Sequence, residues 1–414
     1  MKLDRRSFLA SAAAGAATVT LAPSRVLGAN DRVRVGIIGS GSRGQDDMRE
    51  ILRVQGVEFV AIADVYSRRR DEAKAIAPGA EVYDDPRRLL DRRDIDGVIV
   101  ATPLFLHAKY FLDTLASGKD LYCEKTMTWD IAEAIACRKA AEASKQVVQI
   151  GLQHESEGDH VDAKQWVRQG LPGKVHLVEA WMSRNSPHGK GQWVREVPKD
   201  CDPQHVGWEL FLNDRPKEAF NGNRFINWRL FWEFSGGNIT ENMVHQIAWI
   251  ITVLGLKEPA AATMSGGVFS EKDGRQVPDT IAVTLEYPEN DLTVLWQSTF
   301  SNSHYGLGEH LLGSDGTIEH VSGSTDMVTG KSESGLRFYP EKVNRPGGEA
   351  LIGQSKGVSH MQNWVDCIRA RNKQTNAPVE TGYLSAVAAH MANLSYREKR
   401  RITWGEAQAA KQEY

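Results

Sequence analysis

Residues 33–44 read Val33-Arg34-Val35-Gly36-Ile37-Ile38-Gly39-Ser40-Gly41-Ser42-Arg43-Gly44. The β-branched run over 33–38 predicts a buried strand, and it passes without a linker into a glycine turn and a helical pattern through residue 52. In that context each glycine has a mechanical task. Gly39 makes the tight turn, Gly41 lets the backbone approach a pyrophosphate, and Gly44 packs the helix on the strand. Ser40, Ser42 and Arg43 complete the loop. The next strand, 57–63, ends in Asp64, 20 positions after Gly44. A carboxylate there accepts hydrogen bonds from adenosine ribose hydroxyls and repels a 2'-phosphate, so the pattern favours NAD. Arg68 and Arg69 follow closely and keep NADP as the alternative.

Working outward, strands are expected at 97–101, 120–123 and 147–150, with helical segments between them, which implies a parallel, doubly wound sheet over residues 31–152. Ligands of such sheets lie beyond the carboxyl ends of the strands. Asp64, Thr102, Pro103, His107, Glu124 and Lys125 all fall there, and Gln153 follows the last strand. Ala101-Thr102-Pro103 with His107, followed by Cys123-Glu124-Lys125, resembles the glucose-fructose oxidoreductase, inositol dehydrogenase and MocA (Gfo/Idh/MocA) family. The family usually has proline where this chain has Thr126. The resemblance covers nearly everything after residue 31. It implies an α/β protein whose second part, 153–414, is an α+β domain with a large, mainly antiparallel open sheet, and whose C-terminal helices return to the nucleotide domain.

In that second part a helix is expected at 153–170, and 174–183, 280–287 and 292–300 alternate like antiparallel strands with one buried face. Between them stands Phe231-Trp232-Glu233-Phe234-Ser235-Gly236-Gly237-Asn238-Ile239-Thr240-Glu241-Asn242-Met243-Val244-His245. The resembled family carries a double-glycine turn opening a helix with an acid and a histidine four residues apart. Glu241 and His245 match, and that spacing puts both on one helix face. Taken singly, Lys125 reads as a surface residue and His245 as a locally bonded histidine; the paired motifs join them into a site.

Oxidising a carbinol needs a base for the hydroxyl proton. A histidine starting near ~6.5 is neutral at working pH, whereas a lysine near ~10.4 needs burial or a cationic neighbour. Both stay open; His245 is favoured as base, with Lys125 hydrogen-bonded to substrate and cofactor and Glu241 orienting one of them. His154, Arg184, Arg229 and Trp232 are the substrate-side candidates. Trp181, Trp193, Trp228 and Trp249 are core rings or sugar-stacking faces. Residues 360–367 and 386–396 read as amphipathic helices, with His360 either reaching the site or, the favoured reading, in a capping or packing role.

The first 30 residues have another purpose. Asp4-Arg5-Arg6-Ser7-Phe8-Leu9-Ala10, a small-residue apolar run over 10–22, and Leu27-Gly28-Ala29 follow the order of a twin-arginine signal peptide with its cleavage site. The whole chain carries a net charge of −3. Residues 1–29 hold Lys2, Arg5, Arg6 and Arg25 against Asp4, so the mature chain is near −6. With no basic tract, nucleic acid is not an expected partner. Four scattered cysteines without a CxxC pair signal neither zinc nor a disulfide scaffold, and no metal site or membrane span is expected. Twin-arginine export moves folded proteins, so a nicotinamide cofactor can be loaded before a periplasmic life without a coenzyme pool. The hydride is then expected to be recycled on a tightly held nucleotide.

The function expected is an NAD(P)-dependent oxidoreductase acting on a sugar, glycoside or polyol hydroxyl, as a homodimer or homotetramer. The alternative is an NAD-dependent glycoside hydrolase working by transient C3 oxidation, elimination, water addition and re-reduction. Strand 174–183 has Trp181 and Met182 where the N-acetylgalactosaminidase branch of the resembled family uses a tyrosine.

Overall fold

The computed structural model describes residues 32–325 and 332–410. The expected signal peptide lies outside the described residues. Six strands, β1 (Val33–Ile38), β2 (Val57–Ala63), β3 (Glu81–Tyr83), β4 (Gly97–Val100), β5 (Asp120–Glu124) and β6 (Val148–Gly151), form one sheet in the order β3-β2-β1-β4-β5-β6. Every pairing is parallel. Sheets covered on both faces require near-continuous apolar strands, and β4, β5 and β6 are buried throughout. The sequence order reverses between β1 and β4. The glycine turn at 39–41 and the segment Thr102-Pro103 both sit at that switch point, where doubly wound sheets bind ligands.

The second sheet has nine strands: β7 (Val175–Ser183), β8 (Ala261–Gly267), β9 (Thr280–Tyr287), β10 (Leu292–Thr299), β11 (Leu307–Gly313), β12 (Gly316–Thr325), β13 (Ser332–Pro340), β14 (Leu351–Ile352) and β15 (Ile402–Thr403). They run in the order β14-β13-β12-β11-β7-β10-β9-β8-β15. The sheet is mainly antiparallel, as expected, with one parallel pairing. β10 lies parallel to β7, Thr293 beside Leu177 through Thr299 beside Ser183. A parallel neighbour needs a long crossover, which the helical segment between β7 and β8 supplies. The other pairings are antiparallel. Alternation marks only three of these strands, because β8, β11 and β12 carry glycines and polar residues inside the run.

Helix α1 (Ser42–Ile51) follows the glycine turn, and α2 (Gly158–Arg168) and α3 (Val244–Leu254) pack together against the second sheet. Two C-terminal helices return to the nucleotide sheet, as expected. On α4 (His360–Ala370), the Trp364 ring lies 3.0 Å from where a Cβ on Gly97 would stand. His360 is held between Ser156 Oγ and the Ile150 carbonyl, a packing position rather than a site position. Helix α5 (Val379–Glu398) is buried from Thr381 to Ser395. It ties three segments together: Gly382 admits Ile150, Asn393 donates to the Gly236 carbonyl, and His390 meets the Thr128 carbonyl. The four cysteines are buried free thiols. Among the described residues no helix is long and apolar enough to cross a membrane.

Candidate active site

The glycine turn is built as its spacing demands. Gly39 has φ of 89°, and a Cβ there would stand 2.7 Å from the Ala101 carbonyl carbon. A Cβ on Gly44 would lie 2.2 Å from the Gly39 carbonyl oxygen, so α1 can approach β1 only with glycine. A Cβ on Gly41 meets nothing within 4 Å. The open space therefore lies over the first turn of α1, whose N-terminus has no side-chain cap and no acidic residue. Free N–H groups and the helix dipole make that turn an anion site. This is the fit a dinucleotide pyrophosphate requires.

Asp64 closes the turn: Oδ2 accepts from the Ser40 N–H at 2.7 Å and Oδ1 from the Tyr66 N–H at 2.9 Å. Burial raises its pKa, opposed by those two donors. Both carboxylate oxygens keep lone pairs for ribose hydroxyls. Of the neighbouring arginines, Arg68 is committed to Asp200 and Arg69 to Glu72.

A cleft of about 420 Å³ runs from this turn along the strand ends and is lined by Gly39, Gly41, Ser42, Arg43, Asp64, Thr102, Pro103, His107, Glu124, Lys125 and Gln153. Ser40 and Gly44 lie behind it as the turn's support. Several lining groups already have partners. His107 sits between the Thr126 and Thr102 carbonyls. Glu124 Oε1 accepts from Arg43 Nε at 3.0 Å and Gln153 Nε2 at 2.9 Å, and Arg43 also pairs with the fully buried Asp47. Gly151 makes room for Glu124, since a Cβ there would stand 2.4 Å from Oε1. These side chains shape the cleft wall.

At the inner end, the chain from Ile239 to Met243 forms one π-helical turn leading into α3. Such turns recur at functional sites. Here the turn offers its carbonyls to the nucleotide domain: Lys125 Nζ donates to the Glu241 carbonyl at 2.8 Å and Thr126 Oγ1 to the Thr240 carbonyl at 2.6 Å. The peptide between Lys125 and Thr126 is cis. The Glu241 carboxylate lies 3.6 Å from Lys125 Nζ and accepts from Arg229 Nε at 2.9 Å. Burial would raise its pKa, but Lys125 and Arg229 outweigh that and hold it at about 2. Glu241 therefore orients Lys125 and Arg229.

His245 makes no hydrogen bond with the described residues. Its Nδ1 is sealed from solvent without a partner, while Nε2 is not. Burial, then the charges of Lys125, His154, Arg43 and Arg184, hold its pKa well below the ordinary histidine value. It is a neutral imidazole lining both the dinucleotide cleft and a second cavity of about 360 Å³.

That inner cavity gathers His154, Arg184 and Arg229 as expected, with Met182, Trp193, Trp249 and Glu309. Trp232 does not join them. It lies in a separate groove with Glu218 and Gln276, its ring against Tyr396, because its neighbour Phe231 takes the inward position. Trp181 also faces away, donating to the Tyr305 carbonyl, since strand alternation turns Met182 inward instead. Sequence reasoning missed Arg195, which donates to Ser42 Oγ, and the pair Glu309–His320. Glu309 and His320 are register partners on β11 and β12, with His320 stacked on Trp249. Nothing local in the sequence marks them; only the strand register brings them together.

Family models match both halves. Residues 33–152 match the oxidoreductase family's NAD-binding Rossmann fold, and residues 215–404 its C-terminal alpha/beta domain. The chain belongs to the Gfo/Idh/MocA oxidoreductase family. It is 30% identical to an inositol 2-dehydrogenase of Rhodococcus jostii (strain RHA1), over 83% of this chain and 83% of that protein. It spans about half the length of other inositol 2-dehydrogenases it matches. A glycosyl hydrolase family 109 protein of Stenotrophomonas maltophilia (strain K279a) is 26% identical over 78% of this chain and 75% of its own length. Among solved structures, the WlbA dehydrogenase of Bordetella pertussis, in complex with NADH and UDP-GlcNAcA, superposes with a TM-score of 0.67 at 17% identity. That match covers 90% of this chain and 98% of the other. The protein thus has the NAD-binding Rossmann fold and the C-terminal alpha/beta domain of the Gfo/Idh/MocA family.

Proposed function

We propose that this Gfo/Idh/MocA protein oxidises a hydroxyl of a sugar, glycoside or polyol in the inner cavity. The observation that carries the reading is the placement of His245, a neutral ring set edge-on to His154 and without a hydrogen-bond partner, whose Nε2 is open where the dinucleotide cleft meets that cavity. The glycine turn, α1 and Asp64 would hold NAD, which would supply a hydride acceptor. His245 Nε2 takes the hydroxyl proton. Lys125, fixed by the Glu241 carbonyl and carboxylate on the wall of the dinucleotide cleft, donates to the substrate oxygen where cleft and cavity meet. The relative in Rhodococcus acts on a polyol, inositol, which supports this substrate class. Asp64, with Arg68 and Arg69 already paired, supports NAD over NADP.

A second reading, NAD-dependent glycoside hydrolysis by transient oxidation, is favoured by one observation. The inner cavity holds a second ionisable pair, Glu309–His320, available for a second proton transfer. The glycosyl hydrolase relative supports it. Both readings fit export by the twin-arginine pathway to the periplasm, with a tightly held nucleotide that recycles its hydride, and assembly as a dimer or tetramer.

One experiment separates them. The protein as purified, without added nucleotide, is given free sugars and aryl glycosides while absorbance is followed in the reduced-nicotinamide band. Reduction by one sugar and reoxidation by a second compound supports the oxidoreductase. Aglycone release without net reduction supports the hydrolase, and silence in both arms sinks the two together.

A further inference from the structure

The inner cavity is lined by three arginines, Arg184, Arg195 and Arg229, and two glutamates, Glu241 and Glu309. Both glutamates are committed. Glu241 is shared by Arg229 and Lys125, and Glu309 accepts from His320 at 2.9 Å. Arg195 belongs to the nucleotide side: its Nη1 donates to Ser42 Oγ at the start of α1, and the residue also lines the dinucleotide cleft.

Arg184 is different. It lines the inner cavity and not the cleft, so a pyrophosphate held at α1 does not account for it. Its backbone is pinned beyond the end of β7, the N–H donating to the Thr299 carbonyl. Among the described residues its guanidinium makes no hydrogen bond or ion pair. Burial lowers its pKa, with Glu241 the one charge acting the other way. A guanidinium stays protonated in proteins, and a partly buried charge without a counter-ion is costly. A ligand that brings the counter-charge offsets that cost.

Resting on the reading of this cavity as the substrate site, we propose that the substrate carries a carboxylate, as a hexuronate does, and that Arg184 binds it. A single planar fork matches one carboxylate edge, and the pair also fixes the ring's orientation. The lining carries three arginines against two glutamates, an excess of cationic side chains that an anionic group on the ligand offsets.

The test uses the holoenzyme as purified and two pairs of ligands, glucuronate with glucose and galacturonate with galactose, with glucose 6-phosphate as a further arm. Binding is measured by calorimetry and turnover by nicotinamide absorbance. At least one uronate is expected to bind about 10-fold or more tighter than its parent sugar and tighter than the phosphate. Arg184→Gln is expected to weaken that uronate about 30-fold, far more than the neutral sugar, the size of a charged hydrogen bond. Its melting temperature should match or exceed that of the unsubstituted protein, because an unpaired charge is removed. Equal or tighter binding of the neutral sugars or the phosphate overturns the proposal, as does equal loss for both members of a pair, or no uronate binding at about 10 mM. Since binding is read apart from turnover, a uronate that binds through Arg184 without reducing the nucleotide refutes the oxidoreductase reading and leaves this inference standing.

Discussion

Gly41 and Gly44 stand three residues apart in one turn, yet alanine should affect them in opposite ways. At Gly44 the new Cβ would lie 2.2 Å from the Gly39 carbonyl oxygen, more than 1 Å inside ordinary contact, and backbone cannot swing aside as a side chain can. Overpacking of that kind costs about 1–3 kcal/mol, offset by at most about 1 kcal/mol from placing alanine in a helix. Gly44→Ala should therefore lower the melting temperature of the nucleotide-free protein by several degrees. At Gly41, φ is −67° and ψ −169°, which alanine adopts freely, and the Cβ meets nothing within 4 Å. Restricting the unfolded chain returns about 0.4–1 kcal/mol, so Gly41→Ala should melt at or slightly above the parent. The same methyl projects into the space assigned to the pyrophosphate. A clash of about 1–3 kcal/mol there weakens NAD by about 10- to 100-fold. Scanning calorimetry of nucleotide-free protein and a calorimetric NAD titration read the two quantities separately. If Gly41→Ala binds NAD as tightly as the parent, the pyrophosphate does not lie over α1, and the cofactor placement fails with it.

Three further outcomes are expected. Because burial, and then the surrounding charge, hold His245 well below 6.5, its base form persists on acidification; kcat/KM should stay flat from pH 8 through 6.5 and fall only lower, and an acid limb centred at 6.5 or above would remove His245 as base. Asp64→Ser should move the NAD-to-NADP preference toward NADP by about 10-fold in Kd, about 1.4 kcal/mol, and an unchanged ratio would show that Asp64 does not face the ribose. His160, His360 and His390 are buried with pKa values lowered to about 4, chiefly by burial. Each binds fewer protons folded than unfolded between about 4 and about 6.5, so its share of stability is complete above 6.5 and lost as pH falls toward 4. Urea midpoints should decline from pH 7 to 5, less steeply in His390→Gln, and an equal slope in the variant would contradict the buried neutral ring.

The nucleotide half was legible because its signals are local. A strand, a glycine turn and a helix occupy consecutive residues, and Asp64 lies at a spacing set by one strand-helix-strand unit. The double-glycine turn and the placement of Glu241 and His245 along one cavity wall were legible for the same reason, since helix spacing sets which side chains share a face. What escaped is set by contacts distant in sequence. Glu309 and His320 meet through strand register, Arg195 through a loop pinned by Asn227, and β10 lies beside β7 although the two are separated by more than a hundred residues. Trp232 misled because its neighbours are site residues. In an irregular segment, adjacency along the chain does not set the direction of a ring.

Lys125 shows why the two halves form one site. Its chain position belongs to the nucleotide domain, but the groups that hold its Nζ, the Glu241 carbonyl and carboxylate, come from the second domain. The π-helical turn makes this geometry available. The turn presents the carbonyls of residues 240 and 241 to side-chain donors from the nucleotide domain. Thr126 uses the first and Lys125 the second. The family usually has proline at position 126, which offers no hydroxyl, so in this chain Thr126 adds a side-chain bond to the same turn that positions Glu241. A displacement of either half relative to the other would therefore reach Lys125, Glu241 and Arg229 together. His245, the proposed base, stands four residues after Glu241 along the same helical segment and would move with them.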